Sequence, residues 1–224
     1  MLDFSLNKIF VEGNTDQKMI ATILEIHYNI SFPYNGLALE DCIINCNGWQ
    51  GLFKQVALKE IYRIESSGKN LIIFDADNTS NLGGYTKRKK EIEVGFAELI
   101  KATKKNINYS IYLLPNDSDN GDLESFYMSC IKPDKRFFIE CWNNLYGCLQ
   151  SKNEARYELK IPKSAGMVYS YVDLFENYRT GFYQNKKTKR DYSDDGLWEY
   201  NFEENNHLKS LCKFLEDNLN LKSN

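Results

Sequence analysis

Short apolar runs alternate with longer segments of helical periodicity through the first half of the chain. The runs have the length and composition of buried strands, and they cover residues 8–12, 42–46, 70–75 and 109–114. Apolar residues spaced three or four apart predict intervening helices over about 14–28 and 52–64, and a third that ends near Lys105. We therefore expect an α/β fold, with a central, mostly parallel four-stranded sheet and helices on both faces.

The pattern changes after Gly121, where helical segments rich in aromatic residues replace the alternation of strand and helix. Helical spacing predicts these segments at about 123–131, 134–149, 164–178 and 206–219. This change predicts an α/β domain over residues 1–130 and a helical C-terminal extension over residues 131–224, packed on the same core. In the first helix, Asn14 is the expected N-cap, and Gln17 is expected to complete a capping box.

The composition narrows the classes of function. The formal net charge is −3, so the chain lacks the global basic field of many nucleic-acid binders. No apolar run is long enough to cross a bilayer, and the first residues lack the pattern of a signal peptide. Cys42 and Cys46 belong to no C-x-x-C pair and are expected to be small buried hydrophobes. These features predict a cytoplasmic protein with no membrane partner, and they leave its oligomeric state open.

Acidic residues follow three of the predicted strands. Glu12 follows the first strand, and Asp75 and Asp77 end the third. Because side chains alternate along a strand, two aspartates at a spacing of two are expected to point the same way. The fourth strand leads through a polar loop to Glu124, in the first turn of the next helix. Ligands bind at the carboxyl ends of the strands in open α/β sheets, and we expect these four carboxylates to lie at that edge.

The types of these residues indicate which ion they would hold. Like charges a few ångströms apart repel one another, and a divalent cation removes the conflict. The chain has 2 histidines, and His27 lies on the apolar face of the first predicted helix, so zinc, copper and non-haem iron have no ligand set. Mg²⁺ takes one or two carboxylates and leaves room for substrate phosphate oxygens. The pattern predicts a Mg²⁺ site, with Mn²⁺ as a substitute; a merely structural acidic edge is the alternative.

These motifs resemble those of the Toprim domain, which topoisomerases, bacterial primases, OLD-family nucleases and recombination proteins share. The likeness lies in Val11-Glu12-Gly13 before a helix and in Asp75-Ala76-Asp77 at the end of a later strand. The chain is also similar to an uncharacterised family of Toprim-like microbial proteins, the domain of unknown function 3226 family. That resemblance covers residues 8 to about 180, and it adds Leu114-Pro115-Asn116, Gly121-x-Leu123-Glu124 and Lys163.

The resemblance implies a Toprim-like, Rossmann-like fold and a catalytic role for Glu12, Asp75 and Asp77. Glu12 would serve as general acid/base or as a metal ligand, and the two aspartates would hold Mg²⁺. Glu124 would add a ligand for a second ion, and two ions would stabilise the attacking and leaving oxygens of a phosphodiester. Three basic residues are expected to contact the phosphates of DNA or RNA: Lys87, Arg88 and Lys163.

Two classes of function remain open. The presence of all three acidic motifs favours a metal-dependent nuclease, or another phosphoryl-transfer enzyme that acts on nucleic acid. The near-neutral charge favours a small nucleotide substrate, or a non-catalytic Toprim-like binding or scaffold protein that keeps the acids for structure or ion binding. We do not expect a topoisomerase, because 224 residues are too few for a DNA-gating scaffold.

Overall fold

A computed structural model gives the architecture of the chain, and it describes residues 3–54, 68–79, 83–155, 159, 164–175, 192 and 194–222. Four strands form one sheet: β1 (Lys8–Val11), β2 (Ile43–Asn45), β3 (Asn70–Asp75) and β4 (Tyr109–Leu114). Every pairing between neighbouring strands is parallel. The predicted α/β fold with a central parallel sheet is therefore confirmed.

The strand order is β2-β1-β3-β4. The direction in which successive strands are added to the sheet therefore reverses between β1 and β3. From β1 the chain proceeds to β2 on one side, while β3 lies on the other side of β1. In open α/β sheets, a crevice for ligands forms at the carboxyl ends of the strands where such a reversal occurs. Val11 pairs with Ile73, so Glu12 and Asp75 both lie at this reversal.

Seven α-helices lie in the described part of the chain. They are α1 (Asn14–Tyr28), α2 (Leu39–Cys42), α3 (Tyr85–Thr103), α4 (Leu123–Ser129), α5 (Phe137–Ala155), α6 (Ser164–Phe175) and α7 (Asn206–Leu219). Single 3₁₀ turns occur at Trp49–Phe53 and Pro133–Lys135. No helix within these described ranges is long and apolar enough to span a membrane.

Helices cover both faces of the sheet, as predicted. On one face, Phe74 of β3 lies in a buried cluster with Ile92 and Phe96 of α3. On the other face, Tyr112 of β4 packs against Phe214 of α7, with ring centroids 5.2 Å apart. Helix α1 is joined to α7 on that second face, because the Tyr28 hydroxyl donates to the Cys212 carbonyl at 3.2 Å. Side-chain alternation along continuous apolar strands explains how each strand feeds both layers.

The start of α1 differs from the prediction. The N-cap is Gly13, so the prediction of Asn14 as the N-cap, with Gln17 completing a capping box, was wrong. The Asn14 side-chain oxygen instead accepts from Asn45 Nδ2 at 2.6 Å, and Gln17 Nε2 donates to the buried carbonyl of Ile43 at 2.6 Å. The predicted helix over 52–64 falls mostly on residues 55–67, outside the described ranges.

The chain forms two compact units, residues 1–126 with 201–224, and residues 127–200. The first contains the sheet and α7. The second contains a cluster of aromatic rings, in which the ring centroids of Tyr171 and Trp198 lie 5.1 Å apart. The Tyr171 hydroxyl also donates a hydrogen bond to the Leu197 carbonyl at 2.6 Å. The predicted division into residues 1–130 and 131–224 stays a prediction.

Candidate functional site

Glu12 follows β1 at the point where the strand order reverses. Its carboxylate oxygen Oε1 accepts a hydrogen bond from the backbone N–H of Trp49 at 2.8 Å. Its backbone carbonyl accepts from Gly48 at 2.8 Å, so the loop after β2 holds the residue twice. Burial and the nearby Asp77 carboxylate raise the pKa of Glu12, and Arg88 opposes that rise. The geometry therefore fixes one carboxylate at the crevice and leaves its charge incompletely compensated.

Asp75 is the last residue of β3, and its backbone is still paired with Leu114 of β4. Its Oδ1 accepts the backbone N–H of Leu123, at the start of α4, at 2.9 Å. Burial raises the pKa of Asp75 well above its usual range, and the carboxylates of Asp16 and Glu12 raise it further. Asp75 is thus surrounded by like charges despite its backbone hydrogen bond.

Asp16 is a member of this cluster that the sequence analysis missed. It is 6 % exposed and lies in the first turn of α1, where Oδ2 accepts the Gly13 N–H at 3.1 Å. Its other oxygen, Oδ1, is buried and has no hydrogen-bond partner among the residues that the structure describes. Burial, with Glu12 and Glu124 nearby, raises the pKa of Asp16 to about 7. The only signal in the sequence was its place four residues after Glu12, in the first turn of the helix predicted over about 14–28.

Asp77 lies beyond the end of β3, in a left-handed backbone conformation with φ of 60°. Strand alternation ends at Asp75, so the expectation that both aspartates point the same way does not extend to Asp77. Its Oδ2 accepts a hydrogen bond from Arg88 Nη2 of α3 at 2.5 Å. Gly83 allows this turn to close, because a Cβ at Gly83 would lie 2.3 Å from the Asp77 Cβ.

Arg88 is buried, with 6 % of the residue exposed. Its Nη1 donates to Glu91 at 3.0 Å, and its guanidinium lies 4.6 Å from the centroid of the Trp49 ring. The same Trp49 holds Glu12 through its backbone. Trp49 and Arg88 therefore form a continuous link between the carboxylates of Glu12 and Asp77, and we call this the Trp49–Arg88 link.

Glu124 lies in the first turn of α4, next to the helix start that holds Asp75. Burial and the carboxylates of Asp122 and Asp77 raise the pKa of Glu124. Asp122 caps the helix, since its Oδ1 accepts from the backbone N–H of Ser125 at 2.9 Å and from its hydroxyl at 2.6 Å. The loop after β4 thus brings a further carboxylate to the same edge.

The three expected phosphate contacts are placed differently. Lys87 is exposed on α3, with Nζ 3.9 Å from a carboxylate oxygen of Glu91. Arg88 already holds two carboxylates, so a phosphate contact would have to replace one of them. Lys163 lies outside the described residues. Their predicted role stays a prediction.

The donor set at this edge is made of carboxylate oxygens, with four groups of raised pKa: Glu12, Asp16, Asp75 and Glu124. Among the residues that the structure describes, no three His, Cys, Asp or Glu side chains form a ready-made ligand group. Mg²⁺ needs only one or two carboxylates and fills its remaining positions with water and substrate oxygens. Uncompensated like charges and the partnerless Asp16 Oδ1 fit such a hard cation.

Comparison with known proteins identifies the family alone. No curated protein and no solved structure matches the chain. A family described as "Protein of unknown function (DUF3226)" matches residues 6–217, which is nearly the whole chain. The chain therefore belongs to the DUF3226 family.

Proposed function

We propose that the protein is a Mg²⁺-dependent phosphoryl-transfer enzyme of Toprim type that cleaves phosphodiester bonds of DNA or RNA. The observation that carries the proposal is the cluster of buried carboxylates at one sheet edge. Burial is the largest cause of the raised pKa of Glu12, Asp16, Asp75 and Glu124, and electrostatic strain from neighbouring carboxylates adds to it. A cation would relieve that strain only in the folded protein, so its binding would stabilise the native state.

In this proposal, Asp75 and Asp77 hold the metal, Glu124 adds a ligand for a second ion, and Mn²⁺ substitutes for Mg²⁺. When bound, the ion would stabilise the charge that develops on the oxygens of the phosphodiester. Glu12 is the general acid/base candidate, with a metal ligand as its alternative role, because burial and Asp77 raise its pKa above the ordinary value of a glutamate. The backbone N–H of Trp49 orients its carboxylate.

Positive charge beside the acids would position the substrate. Lys87 is exposed on α3, one residue before the buried Arg88, and we assign it a phosphate contact. Arg88 in this scheme holds Asp77. Lys163 remains a third candidate, on the resemblance alone. We place the protein in the cytoplasm, because its six cysteines, all within the described residues, form no disulfide.

The test is incubation of the purified protein with single- and double-stranded DNA and RNA, with Mg²⁺, Mn²⁺ or EDTA. We expect metal-dependent cleavage that Glu12→Gln lowers by roughly 10²–10⁴-fold, the typical contribution of a general acid or base. Glu25→Gln is the control, since Glu25 is an exposed glutamate on α1, and we expect full activity from it. Equal activity in both variants would trace the cleavage to a contaminant and contradict the proposal.

A non-catalytic Toprim-like binding or scaffold protein is the second candidate. One observation favours it: the buried Arg88 pairs with both Asp77 and Glu91, as in a structural ion-pair network. In that case none of the four nucleic acids would be cleaved with Mg²⁺ or with Mn²⁺, whether or not the protein binds the ion. The cleavage assay above separates the two candidates.

A further inference from the structure

A groove lies between α3 and the 3₁₀ turn at Trp49–Phe53, and Trp49 of the Trp49–Arg88 link is part of its wall. It has a volume of about 480 Å³, within the range of small-molecule sites. The 3₁₀ turn supplies one wall and α3 the other. Its lining consists of two aromatic rings, aliphatic surface and four charged side chains: Trp49, Phe53, Lys87, Lys90, Glu91, Val94, Gly95 and Glu98.

The two aromatic rings of the groove are held in place by their neighbours. Phe53 packs edge-on against the buried Phe96, with ring centroids 5.4 Å apart. The absence of a side chain at Gly95 lets this ring lie against the helix, since a Cβ there would be 2.4 Å from Phe53 Cζ. Trp49 has the Arg88 guanidinium at 4.6 Å from its centroid. The groove therefore offers preorganised aromatic surface, with Val94 46 % exposed beside it.

Two lysines at the rim, Lys87 and Lys90, are exposed and can contact an anionic group. Of the two glutamates, Glu91 is paired with Arg88 at 3.0 Å, and Glu98 also lines the groove. An apolar slot with lysines at its edge matches a nucleotide, which has a flat apolar base and a charged phosphate.

We propose that this groove binds an unpaired base of single-stranded nucleic acid. This inference rests on the proposed function and specifies its substrate class. The base would stack against Trp49 and Phe53, and Lys87 and Lys90 would contact the flanking phosphates. Trp49 also holds Glu12 through its backbone, so a strand seated in the groove passes next to the acidic edge. A base in a duplex is already stacked and paired, so it cannot enter such a slot without first being extruded.

The test is fluorescence anisotropy with a labelled oligothymidine, in EDTA so that no metal contributes. We expect Val94→Glu and Lys90→Glu each to weaken binding about tenfold, in line with the loss of a stacked base or a phosphate contact. Ala102→Glu and Lys101→Glu are matched controls on exposed positions of the same helix, and each should change the affinity less than about twofold. Circular dichroism melting verifies that every variant is folded.

Two further arms complete the design. A duplex of the same length and a mononucleotide should each bind more weakly than the single strand; equal or tighter binding of either would overturn the assignment. Equal effects of groove and control variants, or no binding by the wild type, would also overturn it. Binding in EDTA and cleavage with metal are measured separately on the same wild-type protein. Binding without cleavage thus leaves the groove supported when the proposed nuclease activity fails.

Discussion

The two ends of the parallel sheet both bury polar groups, but they satisfy them differently. At the amino end, Lys8 is 1 % exposed and its ammonium donates to the backbone carbonyl of Asp41. Asn70 is fully buried and donates to the Asn108 carbonyl at 3.0 Å; its own Oδ1 lacks a donor but carries no charge. At the carboxyl end, burial raises the pKa of Asp16 and Asp75, and neighbouring carboxylates, Glu12 among them, raise both further.

The difference teaches how to separate structural polar residues from functional ones. A buried polar group that serves the fold is paired, because an unpaired one costs free energy. The amino end follows that rule for its charged group. The carboxyl end departs from it, with several ionisable oxygens sharing one crevice, which is the arrangement expected where a ligand completes the site. Removing the buried lysine at the amino end and removing an acid at the carboxyl end should therefore change the stability of the metal-free protein in opposite directions.

The largest effect is expected at the amino end. Lys8→Ala should lower the free energy of unfolding by about 2–4 kcal/mol, because it removes a buried stem and leaves the Asp41 carbonyl without its donor. Urea denaturation measures the change. Lys18→Ala, an exposed position on α1, should stay within about 0.5 kcal/mol of the wild type. A small effect of Lys8→Ala would remove the contrast between the two ends.

A somewhat smaller loss is expected from the Trp49–Arg88 link. Arg88→Met should cost about 2–3 kcal/mol, since it leaves Asp77 without its guanidinium; the 31 % exposure of the Asp77 side chain lets water offset part of the loss. Arg88→Lys should recover less than half, because an ammonium lacks the planar fork. Lys101→Met on the same helix serves as the control in urea denaturation. A wild-type free energy of unfolding in Arg88→Met would show that the ion pair between Arg88 and Asp77 does not stabilise the fold.

The third effect depends on pH and has the opposite sign. The folded-state pKa of Asp16 is about 7, well above the ordinary value of an aspartate, so the folded protein binds the proton more tightly than the unfolded chain does. In EDTA, stability should be highest below about pH 4 and fall by roughly 1–3 kcal/mol as the pH rises toward 7. Asp16→Asn should flatten this fall and raise stability at neutral pH, whereas Asp173→Asn, an exposed control, should not. A wild-type protein that gains stability over this interval would refute the electrostatic account.

Much of the fold was predictable, because buried parallel strands are continuous apolar runs that end abruptly at polar residues. The runs before Glu12, Asp75 and Pro115 predicted β1, β3 and β4, and β2 followed from Ile43 and Ile44. Parallel strands end at one edge, so placing Glu12 and Asp75 required only the order of elements.

The rest of the site depends on tertiary contacts that no local pattern encodes. Asp16 was missed because acids are common in the first turn of any helix, where they complement the dipole. Arg88 stands in a run of four basic residues that looks solvated, and only the positions of Trp49 and Asp77 explain its burial. The left-handed turn at Asp77 depends on Gly83, six residues further along the chain.

The most direct test of the central claim is a thermal unfolding series with added Mn²⁺ at neutral pH. At about a hundred times the dissociation constant, binding confined to the native state adds roughly 2.7 kcal/mol, or about 5–10 °C in Tm for a chain of this size. Asp75→Asn should abolish that rise without lowering the Tm in EDTA, because its side chain can still accept from Leu123. Lys8→Ala should melt earlier yet keep the full rise. A wild-type Tm that does not change with added Mn²⁺ would contradict the account. So would an Asp75→Asn variant with a lower Tm in EDTA than the wild type.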